Sequence, residues 1–348
     1  MFSQLLFVSA LVASVLGHGD HDEPADTALF RRSNLNEHRD IHKRCESTLQ
    51  FIQKRRLARR GLVGPETRDE DITPAALCTM VGQTTEGPYY VNNELFRDDV
   101  TDGQEGVPLQ LKLTIMDVET CDILPNAFVE IWSTNSTGSY SGFTLAGGGG
   151  GPPGGGNPPP PPPTSTDTTS STSTTTMGPF DGADTPGGGG PPGQNATDNL
   201  TFMRGVTQAD DNGEAIFYAN VPGWYQGRAV HIHIRVFENS TVADNGTFVS
   251  ASGTLHHTGQ LYFEQELVDN VATLPPYSTN SLPYENATRN DEDGIYPFST
   301  YGGYNPNLAT TLLGETLDEG ILGEIVITIN RTYTSPMRST AYHTRRFN

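Results

Sequence analysis

The sequence predicts an all-β protein, a β-sandwich of short mixed strands with long loops, preceded by a mostly helical or disordered N-terminal arm. Three observations carry this. From about residue 71 the apolar residues fall in short alternating runs such as "LQLKLTIMD", turn-forming clusters such as "LPNA" and "DDNG" separate the runs, and a helical repeat, Ile41, Cys45, Leu49 and Ile52, stands upstream of them. Many short strands punctuated by Gly, Pro and Asn pack as two sheets or close as a barrel.

Residues 1–17, "MFSQLLFVSALVASVLG", are an apolar run too short to span a bilayer comfortably, ending in small residues ahead of the polar "HGDHDEP". That pattern is a secretory signal peptide and leads us to expect a secreted, extracellular protein. The sequons at Asn135, Asn195, Asn199, Asn239, Asn245, Asn286 and Asn330 agree with a glycoprotein. A formal charge of −20 argues against nucleic acid or an anionic membrane as partner, because phosphate binding needs clustered cations.

Residues 18–70 form the arm. Asn34 with Glu37 resembles a capping pair, and the apolar repeat predicts one amphipathic helix ahead of "KRRLARRG". It reads as a docking helix or a processed pro-segment whose "KR" and "RR" pairs are protease sites. Residues 71–335 read as one β-sandwich domain, with strands in "VPLQLKLTIMDV", "AFVEIW", "EAIFY", "AVHIHIRVF" and "GEIVITIN". The low-complexity Gly/Pro/Ser/Thr segment at 146–195 has almost nothing to bury and cannot repay the entropy of ordering, so it is expected to be a disordered insert within that domain. Residues 336–348 are a tail. Of three cysteines, Cys78 and Cys121 flank the strand region and are expected to pair, leaving Cys45 in the arm.

Chemistry concentrates in "WYQGRAVHIHIRVF" at 224–237. On a strand, the period of two puts His231 and His233 on one face and Val230, Ile232 and Ile234 on the other. Two such imidazoles can converge on one metal ion. No carboxylate stands near them in sequence, whereas Tyr225 and Arg228 do. Phenolate is a hard anionic donor, so two histidines with tyrosine favour ferric iron over zinc or ferrous iron.

"TTEGPYY" at 84–90, "NAFVEIWSTNSTGSYSG" at 126–142, "DDNGEAIFYANVPGWYQGRAVHIHIRV" at 210–236 and "HHTGQLYF" at 256–263 resemble the intradiol ring-cleavage dioxygenases, particularly their secreted fungal branch. The resemblance covers residues 75 to 265 in order, around the insert. It implies one Fe(III) per chain, held by Tyr140, Tyr225, His231 and His233. It places Arg228 over the bound aromatic ring as a catalytic cation and makes Tyr225 both ligand and base. The "EGP" loop of the family lines the substrate pocket, which implicates Pro88 and Tyr89, with Gln260 as a further pocket residue. The substrate implied is a small aromatic diol, cleaved with O2 between its hydroxyl-bearing carbons to a muconate-type diacid. Two features depart from the family: the insert follows Tyr140 directly, which threatens to loosen that ligand, and Asn135 beside it is a sequon.

Two other functions compete. A secreted copper monooxygenase would use His18 as a new N-terminus, but "HGDHDEPADTAL" offers no strand to hold it. A catalytically weak or inactive wall-associated or carbohydrate-binding glycoprotein on the same fold is the other, and it leaves two tyrosines, two histidines and an arginine at family spacing without a reason. Which diol is used, and the oligomeric state, are not written in the sequence.

Overall fold

The computed structural model describes residues 41, 43–64, 68, 83–144, 196–300, 304–337 and 341–342. The expected leader at 1–17, the capping pair Asn34 and Glu37, Cys78, the insert at 146–195 and most of the tail lie outside the described residues.

Ten strands form two four-stranded sheets and a small ribbon: β1 (Pro108–Asp117), β2 (Phe128–Trp132), β3 (Arg204–Gln208), β4 (Glu214–Asn220), β5 (His231–Glu238), β6 (Thr241–Val242), β7 (Phe248–Val249), β8 (Thr254–Tyr262), β9 (Ala309–Leu312) and β10 (Ile321–Ile329). One sheet has the order β4-β1-β10-β9 and the other β3-β2-β5-β8, with β6 and β7 as the ribbon. All the strand pairs are antiparallel except β1 with β10. The fold is therefore a mixed β-sandwich.

Its core follows from the alternation in the sequence. Leu109, Leu111, Leu113 and Ile115 of β1 meet Val129 and Ile131 of β2 and Ile232, Ile234 and Val236 of β5 in one buried cluster. Each such side chain contributes roughly 1.5–3 kcal/mol by leaving water. The opposite face of β1 is also covered. There Met116, with Val118 beyond the strand end and Val326 of β10, packs against Ile41, Cys45, Leu49 and Ile52.

Those four residues belong to the arm. Helix α1 (Glu46–Arg59) runs through the basic stretch instead of ending before it. The reason is that its arginines have partners on the sheet. Arg59 grips Glu214 of β4 through two bonds of 2.9 and 2.7 Å, while Arg56 and Arg60 both pair with Glu324 of β10. The basic run is a docking edge.

The docked helix also corrects the expected disulfide. Cys45 is bonded to Cys121, with Cα atoms 5.1 Å apart, so Cys78 is not the partner of Cys121. Helical spacing puts Cys45 on the same buried face as Leu49 and Ile52, and it is fully covered. Cys121 sits in the turn after β1, beneath that face. The bridge closes a loop with a sequence separation of 76 residues, and a loop of that size is worth about 4 kcal/mol in a chain-entropy account. Replacing both cysteines with serine is expected to lower the melting temperature while the arm stays docked through Ile41, Leu49 and Ile52 and through the arginines of α1. Thermal unfolding followed by circular dichroism checks this; an unchanged melting temperature would refute it.

Strands on either side of the insert pair directly, β2 with β3 and with β5. The residues flanking the insert are pinned together. Asp198 accepts hydrogen bonds from the backbone N–H groups of Gly142, Thr144 and Leu200 and from the Thr144 hydroxyl, at 2.7–2.9 Å. Thr197 N–H donates to the Gly142 carbonyl at 2.6 Å. Four of these hydrogen bonds tie the segment after Tyr140 to residues 197–198 on the far side of the insert.

Candidate metal centre

β5 carries His231 and His233 on the face away from the core, as the period of two requires, yet both are only 2 % exposed. Three loops cover that face: residues 83–92, 133–143 and 224–228. Trp132, the cross-strand neighbour of His233, stacks on its ring at 4.6 Å with an interplanar angle of 6°. His231 Nδ1 lies 2.6 Å from the Ala229 carbonyl oxygen, which can only accept, so Nδ1 carries the proton and Nε2 is bare. That Nε2 lies 3.1 Å from His233 Nε2 and 3.4 Å from the Tyr140 hydroxyl.

Tyr225 completes the group. Its ring lies 5.7 Å from that of Tyr140, at an interplanar angle of 72°, and its phenol is within electrostatic reach of the Tyr140 phenol and the Arg228 guanidinium. The turn "YQGR" puts Tyr225 beside Arg228 by closing a bridge between them. Gly227 permits the turn with φ +84°, a value a side chain would resist although no neighbour would obstruct it. The two tyrosine-bearing loops also touch backbone to backbone. A Cβ on Gly138 would fall 2.1 Å from the Trp224 carbonyl oxygen, and one on Gly223 2.2 Å from that of Ser136. Only glycine allows this approach, and it sets the spacing between Tyr140 and Tyr225.

Asn135 helps fix the same loop. Its Oδ1 accepts from the Thr137 and Ser139 N–H groups and from the Thr137 hydroxyl, and its Nδ2 donates to Gln104 at 2.9 Å. The amide nitrogen of this sequon is spent inside the fold.

Electrostatics suits the four groups to a cation. Burial, reinforced by the charge of Arg228, pushes His231 down to about 3, and burial together with His231 holds His233 well below the usual imidazole range. Both rings are therefore neutral at physiological pH, with lone pairs to give. Burial raises both phenols, Tyr140 well above the usual range and further against Tyr225. Only a strongly charged neighbour would ionise the pair. Two phenolates and two neutral imidazoles are a donor set matched to a trivalent ion. Among the described residues no three or more His, Cys, Asp or Glu side chains gather at metal-binding spacing.

Arg228 stands at the edge of the cluster. Its Nε bonds to Asp293 Oδ2 at 2.9 Å, and its Nη2 to Gln260 Oε1 at 2.6 Å and the Tyr262 hydroxyl at 3.1 Å. Gln260 is fully buried on β8 and spends its carbonyl on Arg228 and Tyr262, so it lies behind the arginine. Tyr89 stacks on the Tyr140 ring at 4.7 Å and meets Tyr225 edge-on at 6.4 Å. Pro88 is half-buried, and its neighbour Gly87 presses on His233, where a Cβ would come 3.1 Å from Cε1. All eight sequence-predicted residues thus gather on one face of β5 or directly around it.

Three functional neighbours escaped the sequence reading. Arg204 of β3 donates to the Ser141 carbonyl and hydroxyl and lies 5.8 Å from the centre of the Tyr140 ring, bracing that ligand loop from below. Trp132 was visible as the end of a strand, not as a partner of His233. Asp293 supplies a buried carboxylate to Arg228 from a segment about sixty residues further along the chain.

No protein-family model matches the chain, and no curated protein matches it. Among solved structures, an intradiol ring-cleavage dioxygenase from Tetranychus urticae is 22 % identical with a TM-score of 0.50, over 74 % of this chain and 98 % of that one. A catechol 1,2-dioxygenase from an Acinetobacter species is 19 % identical with a TM-score of 0.39, over 91 % and 84 % of the two chains. In its fold, this chain is similar to an intradiol ring-cleavage dioxygenase.

Proposed function

We propose that the chain is a secreted intradiol ring-cleavage dioxygenase of the fungal type, which opens catechol-type diols between their hydroxyl-bearing carbons with O2. The observation that carries the reading is the convergence of two neutral imidazole nitrogens and two phenols on one point, with a fixed cation beside them. One ferric ion held by Tyr140, Tyr225, His231 and His233 would act as a Lewis acid that makes a bound diol reactive toward O2 without an external reductant.

The remaining steps belong to the side chains. Tyr225, in its phenolate form, would take up a proton from an incoming diol at its oxygen and become a phenol, and the nearby Arg228 eases its return to phenolate. Tyr89 and Phe143, packed edge to face at 5.3 Å, give the approach an aromatic wall that keeps out water, with Pro88 beside it. Arg228 stabilises the negative charge that develops on the ring, a task for a cation that cannot lose its proton. The Cys45–Cys121 bridge and the leader-like residues 1–17 support export, since structural disulfides belong to oxidising compartments.

A panel of catechol, hydroxyquinol and protocatechuate, followed by oxygen uptake, tests the reading. One O2 should be consumed per diol with no added reductant, and labelled oxygen should place both atoms in a muconate-type diacid. A semialdehyde product or dependence on ascorbate would refute it, and no turnover of any diol by iron-loaded protein would favour the non-catalytic glycoprotein.

A further inference from the structure

Asp293 is 1 % exposed and lies in the irregular segment between β8 and β9, in "NDEDG", far from any other residue of the site in sequence. Both of its oxygens are fully used. Oδ2 accepts from Arg228 Nε at 2.9 Å and from the Ala229 N–H at 2.7 Å. Oδ1 accepts from the Ile295 and Tyr296 N–H groups at 2.7 and 2.9 Å, and stands 3.4 Å from Arg228 Nη2. One carboxylate therefore joins three things: the guanidinium beside the phenols, the N–H of Ala229, the residue whose own carbonyl holds His231 Nδ1, and the start of the short helix α2 (Tyr296–Ser299). In a planar guanidinium, fixing Nε fixes the whole fork. With Gln260 and Tyr262 on Nη2, no rotation is left to Arg228 that keeps these bonds.

We propose that Asp293 is a positioning residue for the ring-cleavage reaction. It sets the orientation of Arg228 directly and, by holding the N–H of Ala229, helps to place the residue whose carbonyl orients His231. This rests on the reading of the site as a ring-cleavage centre. Both oxygens of the carboxylate are engaged by Arg228, Ala229, Ile295 and Tyr296, so its orienting effect passes through these neighbours. Asparagine cannot replace it: of the two sides of the group, each facing donors, the amide nitrogen would oppose one whichever way it turned.

The test is a double-substitution cycle. Asp293→Asn is expected to keep iron and most of its thermal stability, to shift the visible band because the charge of Arg228 moves relative to Tyr225, and to lower kcat by about tenfold to a hundredfold, the range usual for groups that orient ligands. In an Arg228→Ala background the same change should cost kcat much less than it does in the wild type, since the arginine it orients is gone and only the contact with Ala229 is left to lose. Arg289→Ala is the control. It breaks an exposed pair with Asp269 in the same segment and should alter neither band nor kcat. If the losses of Asp293→Asn and Arg228→Ala multiply, or if Arg289→Ala reproduces the loss, Asp293 merely anchors the segment and the proposal falls. If Arg228→Ala itself keeps full turnover, Arg228 has no part in the reaction and the proposal falls with it; if the iron-loaded wild type turns over no diol, it is the reading of the site that fails. If Arg228→Ala is inactive but Asp293→Asn has an unchanged band and kcat, only the proposal falls.

Discussion

Arg228→Ala is expected to lower kcat by about a hundredfold to a thousandfold, the usual cost of removing a group aimed at developing charge, while the protein keeps its iron and its colour. Burial works against the charge of Arg228, but Tyr225, Tyr262 and Asp293 outweigh it and raise the guanidinium above its ordinary value, so the cation persists at any working pH. Unfolding is the outcome to guard against, because removing one partner of a buried ion pair can cost roughly 3–5 kcal/mol. Here Asp293 would retain the N–H groups of Ala229, Ile295 and Tyr296, which limits that cost. Arg228→Lys supplies the second arm. It keeps the charge but not the fork that reaches Asp293, Gln260 and Tyr262 together, so an activity between wild type and alanine is expected. Single-turnover measurements on iron-loaded protein decide the matter. Full activity in the alanine variant would remove Arg228 from the mechanism.

Alternation was the part of the fold most legible in the sequence. Leu109 to Ile115 and Val230 to Val236 face where a period of two puts them, because each strand has one face toward the common core. Tyr225, Arg228, His231 and His233 could be seen together because a turn and a strand are local objects. Tyr140 was reachable only through the family resemblance, since the contact that brings it to His231 crosses 91 residues. Cys45 was misplaced for a related reason. A docking helix is legible in the arm, but not the surface it docks on, because the carboxylates that receive its arginines, Glu214 and Glu324, sit on strands far along the chain. Asp293 had no local signal at all: "NDEDG" reads as a solvated turn, and only folding turns its one buried carboxylate toward Arg228.

Removing a ligand should have the largest effect of any substitution. Tyr140→Phe deletes one oxygen and leaves the ring where Tyr89 stacks on it and Arg204 braces it, at 4.7 and 5.8 Å. The variant should therefore fold, yet lose most of its iron and the broad visible band that phenolate gives with a ferric ion. His231→Ala removes a nitrogen donor and leaves the Ala229 carbonyl without its 2.6 Å partner, so a further loss of stability of about 1–3 kcal/mol accompanies the loss of metal. The pair of variants separates ligation from folding, since the first spares the packing and the second does not. Metal analysis beside the visible spectrum reads both: about one iron per chain and a coloured protein for wild type, little of either for the variants. Two results would remove these residues as ligands: iron and band that survive both substitutions, or a colourless active protein that carries copper or zinc instead. Loss of iron in His231→Ala alone, with Tyr140→Phe unaffected, would leave the histidines in place and reassign the second oxygen donor. Tyr89, stacked on Tyr140 and edge-on to Tyr225, is then the nearest phenol to examine.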